Sequence, residues 1–178
     1  GLNIFQPINI YDTCINLEVD VRFFRINMEG MYISGDNPTK ARIVLSSLRP
    51  FSRKVFTCAH ELGHHLYGHG SKIDLIQEGS GEEGNYNEEE RVVDIFASAL
   101  LMPISGIQLE FKKRNWDIKT ATPIQFFTIS SVFGVGYSTL IYNCNLNGLI
   151  SRVKFNELSK YSPSSFLKYI LKGEKRTG

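Results

Sequence analysis

Residues 56–69 read Phe-Thr-Cys-Ala-His-Glu-Leu-Gly-His-His-Leu-Tyr-Gly-His and contain all four histidines of this 178-residue chain. Within them, His60 and His64 are four residues apart, and Glu61 directly follows the first. On a helix, residues at this spacing share one face with about 5–6 Å between their Cβ atoms, so both imidazoles can bind one metal ion. Glu61 lies about 100° round the helix, where it can take a proton from a water molecule bound to that ion. The stretch therefore predicts a helix that carries a zinc hydrolase site, and such a site needs a third ligand.

The third ligand is predicted on a second helix, which runs from Asn87, a favourable N-cap, to Pro103, which stops it. Apolar residues surround most of this helix, so we expect it to be largely buried, and a buried carboxylate such as Asp94 is costly unless it is hydrogen-bonded. We predict that Glu90, one turn earlier, binds the metal and that Asp94 accepts the second ring N–H of a metal-bound histidine. Two histidines, a glutamate and water are the ligands of an open, catalytic zinc site. The alternative is that Glu90 only caps the helix, in which case Glu89 is the other candidate ligand.

The remaining two histidines are not predicted to be ligands. The metzincin pattern needs a glycine seven residues and a histidine ten residues after the first histidine, and these positions hold Tyr67 and Gly70. His65 and His69 lie about 100–140° round the helix from the ligand pair. We expect them to be solvated or to support the ligands from outside the metal.

Composition narrows the class of protein. With 42% hydrophobic and 21% charged residues, the chain is predicted to be soluble and to form one full core, with at most a small appended subdomain. A net charge of +2 does not support nucleic-acid binding. The sequence has no apolar run of membrane-spanning length and no secretory signal pattern, so neither is expected. The first residue is Gly1 rather than Met, which indicates a shortened chain.

The three cysteines are widely spaced and odd in number, which favours reduced thiols and a cytoplasmic location. Cys58 lies about 160° from His60 on the predicted helix. It therefore points away from the metal face, and we predict a small core residue rather than a ligand.

Before the histidine-rich helix, β-branched and aromatic residues alternate with turn signals. They predict a short helix within residues 3–17 and a small antiparallel sheet with strands over residues 19–25, 30–34 and 41–46. Ser52 is the predicted N-cap of the metal helix, Val55, Ala59, Leu62 and Leu66 its buried face, and Gly68 and Gly70 its end. Gly63 indicates close packing inside that helix. Residues 71–87 are predicted to be a mobile loop.

After residue 120 the pattern changes to a helical pair. Residues 124–143 predict two helices around a turn at Gly134-Val135-Gly136, which is similar to a helix-turn-helix. The second helix contains no Arg or Lys, whereas DNA-binding helices depend on these residues for phosphate contacts. We therefore predict a structural pair or a substrate-docking surface. The predicted domains are 1–120, which holds the metal site, and 121–178, a C-terminal helical segment packed on it.

Together, Phe56-Thr57-x-Ala59-His60-Glu61-Leu62-Gly63-His64 and the later Glu90-x-x-x-Asp94-x-Phe96-Ala97-x-x-Leu100-Leu101-Met102-Pro103 resemble the ImmA/IrrE family of metallopeptidases. The resemblance covers roughly residues 10 to 150. Family members commonly have Glu-x-Glu-Ala-Asn/Asp before Phe-Ala, whereas this chain has valines at positions 92 and 93. That departure leaves Glu90 as the candidate ligand.

The resemblance implies a zincin-like α+β fold, in which a small antiparallel or mixed sheet packs on the His-Glu-x-x-His helix and on a second, ligand-bearing helix. It also implies regulated proteolysis inside bacteria, with a helix-turn-helix repressor of a mobile element or stress response as the substrate. We thus predict a zinc-dependent endopeptidase with Glu61 as its base. The alternatives are a regulatory module that binds a repressor or toxin without cutting it, and a DNA-binding regulator.

Overall fold

The computed structural model describes residues 6–35, 40–74 and 88–162, together with residues 164 and 166. These residues fall into two compact units. One is Ile8–Leu101, and the other contains the described residues from Met102 onward together with Gln6 and Pro7. All predicted site residues lie in the first unit. The predicted division of the chain at residue 120 stays a prediction.

A four-stranded sheet forms one layer of the first unit. After helix α1 (Ile10–Asn16) come strands β1 (Asp20–Phe24), β2 (Gly30–Ile33) and β3 (Arg42–Ser46), and β4 (Lys72–Asp74) follows later in the chain. The strand order is β1-β3-β2-β4. Because β1 is parallel to β3 while β2 is antiparallel to both β3 and β4, the sheet is mixed. The predicted α+β class with a small sheet is therefore confirmed. The antiparallel sheet predicted from residues 19–46 was wrong in one pairing, because β1 lies parallel to β3.

Strand β4 corrects the prediction of a loop over residues 71–87. It has only three residues, too few for a period-two pattern to be recognised, and it is defined by pairing with β2, in which Met31 lies opposite Ile73. The remainder of that predicted loop, residues 75–87, lies outside the described residues.

Helix α2 (Phe51–Tyr67) is the predicted metal helix, and it packs against β2, β3 and the later helix α3 (Glu88–Leu101). The helix begins at Phe51, and Pro50 occupies the N-cap position with an extended ψ of 153° and no side-chain cap. The prediction of Ser52 as N-cap was therefore wrong, because that residue already lies in the first turn. The end at Gly68 is confirmed, since this glycine has a φ of 69° in the left-handed region.

The buried face of α2 is confirmed for three of the four predicted residues. Val55, Ala59 and Leu62 are at most 5% exposed. Leu66 is 49% exposed, so its predicted burial was wrong. It lies in the last turn of the helix.

Helix α3 (Glu88–Leu101) ends before Pro103, as predicted, whereas the proposed cap Asn87 lies outside the described residues. The helix buries one stripe, formed by Val93, Ala97 and Leu101, while Ile95 is 52% exposed. The expectation that most of its circumference is buried was therefore wrong. An apolar residue does not by itself determine which side of a helix meets a core.

At Gly63, helices α2 and α3 approach each other closely. A Cβ atom added to it would lie 2.9 Å from the Cβ of Val93 and 3.1 Å from the Cδ1 of Phe96. The prediction that Gly63 marks close packing is thus confirmed. Because the contact is with the first carbon of a β-branched side chain, α3 itself would have to move to make room.

We expect Gly63→Ala to destabilise the protein although alanine is the better helix former. Helix propensity favours the change by about 1 kcal/mol, but overpacking of a tight core costs about 1–3 kcal/mol. Urea denaturation should therefore show a lower free energy of unfolding. In the matched double variant with Val93→Ala, the loss should be smaller than the two single losses together. An increase in stability for Gly63→Ala alone would contradict the close approach.

The second unit contains helices α4 (Ile104–Lys113), α5 (Pro123–Val132), α6 (Tyr137–Leu146) and α7 (Arg152–Leu158). The predicted pair around the Gly134–Gly136 turn is confirmed as α5 and α6, and a Thr122–Gln125 capping box starts the first of them. Helices α4 and α7 were not predicted. The core of the second unit contains Phe126, Ile129 and Leu140, which are fully buried.

The stretch Glu88–Lys113 is long enough to cross a membrane, and its most apolar part has a mean hydropathy of 1.7. Helices α5 and α6 together would also be long and apolar enough if the 100° bend between them were ignored. The core helix of a soluble protein passes the same test, so this is weak evidence. The stretch is also interrupted between Leu101 and Ile104. The expectation of no membrane span stays a prediction.

Candidate metal centre

Two histidines of α2 point the same ring nitrogen at each other. The Nε2 atoms of His60 and His64 are 3.2 Å apart, and the ring centroids are 4.9 Å apart. His60 is 9% exposed and His64 only 1%. The spacing of four residues therefore places both imidazoles on one helix face, as predicted, with little contact with solvent.

The third side chain comes from α3. The Oε2 atom of Glu90 lies 3.2 Å from Nε2 of His60 and 3.4 Å from Nε2 of His64. Of the residues that the structure describes, these three form the one group placed to hold a metal ion. Glu89, the alternative candidate, is not part of this group.

The size of this triangle fits a small tetrahedral ion. Zinc binds imidazole nitrogen and carboxylate oxygen at about 2.0–2.2 Å, so two ligand atoms of a tetrahedral site are about 3.3–3.5 Å apart. The three observed separations, 3.2, 3.2 and 3.4 Å, are close to that edge length. Three atoms at these distances leave a fourth tetrahedral position that none of the three fills.

The hydrogen bond to Asp94 determines which nitrogen of His60 is available. Nδ1 of His60 lies 2.8 Å from Oδ1 of Asp94, and because a carboxylate accepts, the hydrogen of a neutral imidazole lies on Nδ1 and leaves Nε2, which faces Glu90, with its lone pair. Lone pairs that converge on one point repel each other unless a cation lies between them. The donor set therefore has the chemistry of a cation site.

Asp94 differs from the expectation in one respect. Its side chain is 33% exposed rather than buried, so the predicted cost of burying this carboxylate was overestimated. Its contact with His60 is nevertheless the predicted one. The predicted partner of Asp94, His60, is therefore correct, whereas the argument from the cost of burying its carboxylate does not hold in full.

Glu61 lies between α2 and the sheet and is fully buried. A Cβ atom added to Gly30 of β2 would lie 3.2 Å from Oε1 of Glu61 and only 2.5 Å from Cγ2 of Thr57. Only glycine at position 30 allows α2 to approach the strand this closely. The carboxylate thus lies close to Gly30 of β2, and Glu61 is not part of the group formed by His60, His64 and Glu90.

The two other histidines both have partners within the first unit. Nδ1 of His65 lies 2.9 Å from the hydroxyl of Tyr32, and Nδ1 of His69 lies 3.0 Å from Nδ1 of His64. His69 therefore contacts a predicted ligand, a contact that the sequence argument had only left open. The available signal was Gly68, because a left-handed residue after a helix turns the chain back towards its last turn.

Cys58 is a core residue, as predicted. It is fully buried, and its Sγ lies 3.7 Å from Sγ of Cys14. The hydrogen bond with Cys14, followed by burial, raises the pKa of the Cys58 thiol well above its usual value. A protonated, buried thiol is a poor metal ligand, since the thiolate is the form that binds metals.

Comparison with known families agrees with this geometry. The family model described as the IrrE N-terminal-like domain, a peptidase family, matches residues 16–145, well over half of the chain. The matched range includes α2, α3 and every side chain of the candidate metal centre. No curated protein sequence matches the chain.

Proposed function

The chain belongs to the peptidase family of the IrrE N-terminal-like domain, and on that premise we propose that it is a zinc-dependent endopeptidase that cleaves a helix-turn-helix repressor. The observation that carries the proposal is the convergence of two imidazole nitrogens and one carboxylate oxygen within 3.4 Å of one another. Glu61, a carboxylate outside this group, lies on α2 with the two histidines.

Zinc is the proposed ion because of the donor set. Imidazole nitrogen suits zinc, whereas calcium and magnesium prefer oxygen ligands. Structural zinc sites take four protein ligands, and catalytic sites take three, so His60, His64 and Glu90 fit the catalytic kind. When bound, zinc acts as a Lewis acid that polarises the scissile carbonyl and makes a water molecule more acidic.

Glu61 is the proposed general base. Its carboxylate accepts a proton from the attacking water and passes it to the amine that leaves when the peptide bond breaks. Its carboxylate lies close to Gly30 of β2 on the helix that carries both histidines, and its full burial keeps bulk water away from the transferred proton. Asp94 keeps His60 in the tautomer whose Nε2 is free of hydrogen.

The substrate is proposed to be an extended peptide. In the described sheet β4 is the outermost strand on the side of β2, and Asp74 of β4 pairs with Gly30, which adjoins Glu61. An extended segment added to that edge would satisfy backbone hydrogen bonds and would lie two strand spacings, about 9–10 Å, from β2. The choice of a helix-turn-helix repressor rests on the ImmA/IrrE resemblance. A cytoplasmic location is proposed from the three free, buried cysteines.

The test is incubation of the purified, zinc-loaded chain with each helix-turn-helix repressor of the same genome, followed by mass spectrometry of the products. We expect one or a few defined cuts that disappear when zinc is chelated and return when it is added back. A stable complex with uncut repressor would instead identify a non-catalytic binding module. Salt-dependent binding of the chain alone to duplex DNA would support the DNA-binding alternative.

A further inference from the structure

His69 is held against His64 by the backbone as well as by its ring. Gly68, with a φ of 69°, reverses the chain after α2, and the backbone N–H of His69 then donates to the carbonyl oxygen of His64 over 3.1 Å. The N–H of Gly68 donates to the carbonyl of His65 over 3.3 Å. These two bonds form the Schellman C-cap, which fixes the residue after the glycine over the last turn of the helix.

The ring of His69 is also ordered by aromatic neighbours. It stacks on Tyr67 with centroids 5.7 Å apart and an interplanar angle of 18°. Tyr67 in turn meets Phe96 of α3 edge-on, with centroids 6.0 Å apart. The imidazole therefore has a defined orientation relative to both α2 and α3, the two helices that carry the candidate ligands.

The short distance between the two Nδ1 atoms restricts where the hydrogens lie. At 3.0 Å, one Nδ1 must donate and the other must accept. Nε2 of His64 faces Nε2 of His60 and Oε2 of Glu90, so it must carry a lone pair to bind an ion. The hydrogen of His64 then lies on Nδ1, which donates to Nδ1 of His69.

We propose that His69 is a positioning residue, which accepts the Nδ1–H of His64 and thereby keeps Nε2 of that ligand directed at the metal. Histidines that bind metals almost always donate their other ring N–H to an acceptor, commonly a carboxylate, a backbone carbonyl or water. At His64 the neighbouring atom is Nδ1 of His69. Asp94 has this role for His60, and His69 would have it for His64. The inference rests on the proposed function in assuming a metal at this site, but it does not depend on which substrate is cut.

Two substitutions distinguish the role of His69 as a hydrogen-bond acceptor from the packing of its ring. His69→Phe keeps a flat ring that can stack on Tyr67 but has no acceptor. His69→Asn loses the ring, but its Oδ1 stands at the same number of bonds from the backbone as Nδ1 and can accept the hydrogen bond. His65→Phe removes a neighbouring histidine whose ring contacts the hydroxyl of Tyr32 rather than a ligand, and it serves as the matched control.

Zinc affinity of the full chain, measured by competition with a chromophoric chelator, should fall about 10–100-fold in His69→Phe. His69→Asn and His65→Phe should stay within a few-fold of the wild-type chain. Wild-type affinity in His69→Phe, or equal losses in His69→Phe and His69→Asn, would overturn the proposal.

A second measurement reads the hydrogen bond directly and needs no activity. In the zinc-loaded chain labelled with ¹⁵N-histidine, the Nδ1–H of His64 should exchange slowly with solvent in the wild type and in His69→Asn, and it should exchange faster in His69→Phe. Equal exchange rates in the wild type and His69→Phe would show that His69 does not accept this hydrogen, and the proposal would be wrong. Failure to cut any repressor, with these zinc-affinity and exchange results intact, would contradict the proposed function alone.

Discussion

Glu61→Gln is expected to lower kcat/KM for peptide hydrolysis by about 10²–10⁴-fold while the zinc content stays at that of the wild-type chain. The amide has nearly the shape of the carboxylate, so the tight fit between α2 and Gly30 is kept. It is not a base at neutral pH, so the proton of the attacking water has no acceptor at this position. Since Glu61 does not belong to the ligand group, the metal ligands remain in place.

The matched control is Glu89→Gln, which makes the same chemical change on α3 outside the ligand group. It should cleave the repressor at the wild-type rate. Zinc content and the urea midpoint should be measured for both variants, so that a loss of folding is not mistaken for a loss of the base. Undiminished cleavage by Glu61→Gln would show that Glu61 is not the base. Equal losses of cleavage rate in both variants would show that the loss is not specific to Glu61.

The grouping of His60, His64 and Glu90 could be predicted because it depends on the spacing of residues within single helices. The spacing of His60 and His64 is a property of one helix, and Glu90 and Asp94 share a face of the next helix. Gly63 could be interpreted in the same way, because a glycine inside a helix usually marks a close approach. Each of these predictions required that the segment be recognised as a helix, but it did not depend on where the helix begins or ends.

The features that were missed depend on partners distant in the sequence or on chain reversal. Strand β4 exists through its pairing with β2, and its three residues carry no pattern of their own. Leu66 and Ile95 are as apolar as their buried neighbours, and only the packing of the elements decides that they are exposed. The position of His69 was predicted as if the helix continued through residue 69. In the structure, Gly68 ends the helix and reverses the chain. The angle of 100–140° therefore did not apply to it.

The contrast between Asp94 and Glu90 shows why the ligand and its support need separate tests. Their side chains are similarly exposed, at 33% and 36%, and both contact His60. Asp94 contacts Nδ1, the outer nitrogen, whereas Glu90 contacts Nε2, the nitrogen that also faces His64. A role as hydrogen-bond partner predicts a graded loss of zinc affinity on removal, of about 10–100-fold. A role as ligand predicts a larger loss.

We therefore expect Glu90→Ala to weaken zinc binding by more than about 100-fold, beyond the range typical of residues that only support a ligand. Two imidazoles would remain, and one of the three protein ligands that hold catalytic zinc would be gone. Glu89→Ala is the matched control, because it removes the same side chain and the same charge one residue earlier on α3, and it should bind zinc as the wild type does.

Binding should be measured by chelator competition on the full chain at low ionic strength and again at high ionic strength. The general attraction of a nearby negative charge for Zn²⁺ is screened by salt, whereas a direct metal–oxygen bond is screened far less. The difference between Glu90→Ala and Glu89→Ala should therefore persist at high salt if Glu90 is a ligand. If the two variants retain zinc equally, or if their difference vanishes with salt, Glu90 acts through its charge alone and the third ligand must be sought elsewhere.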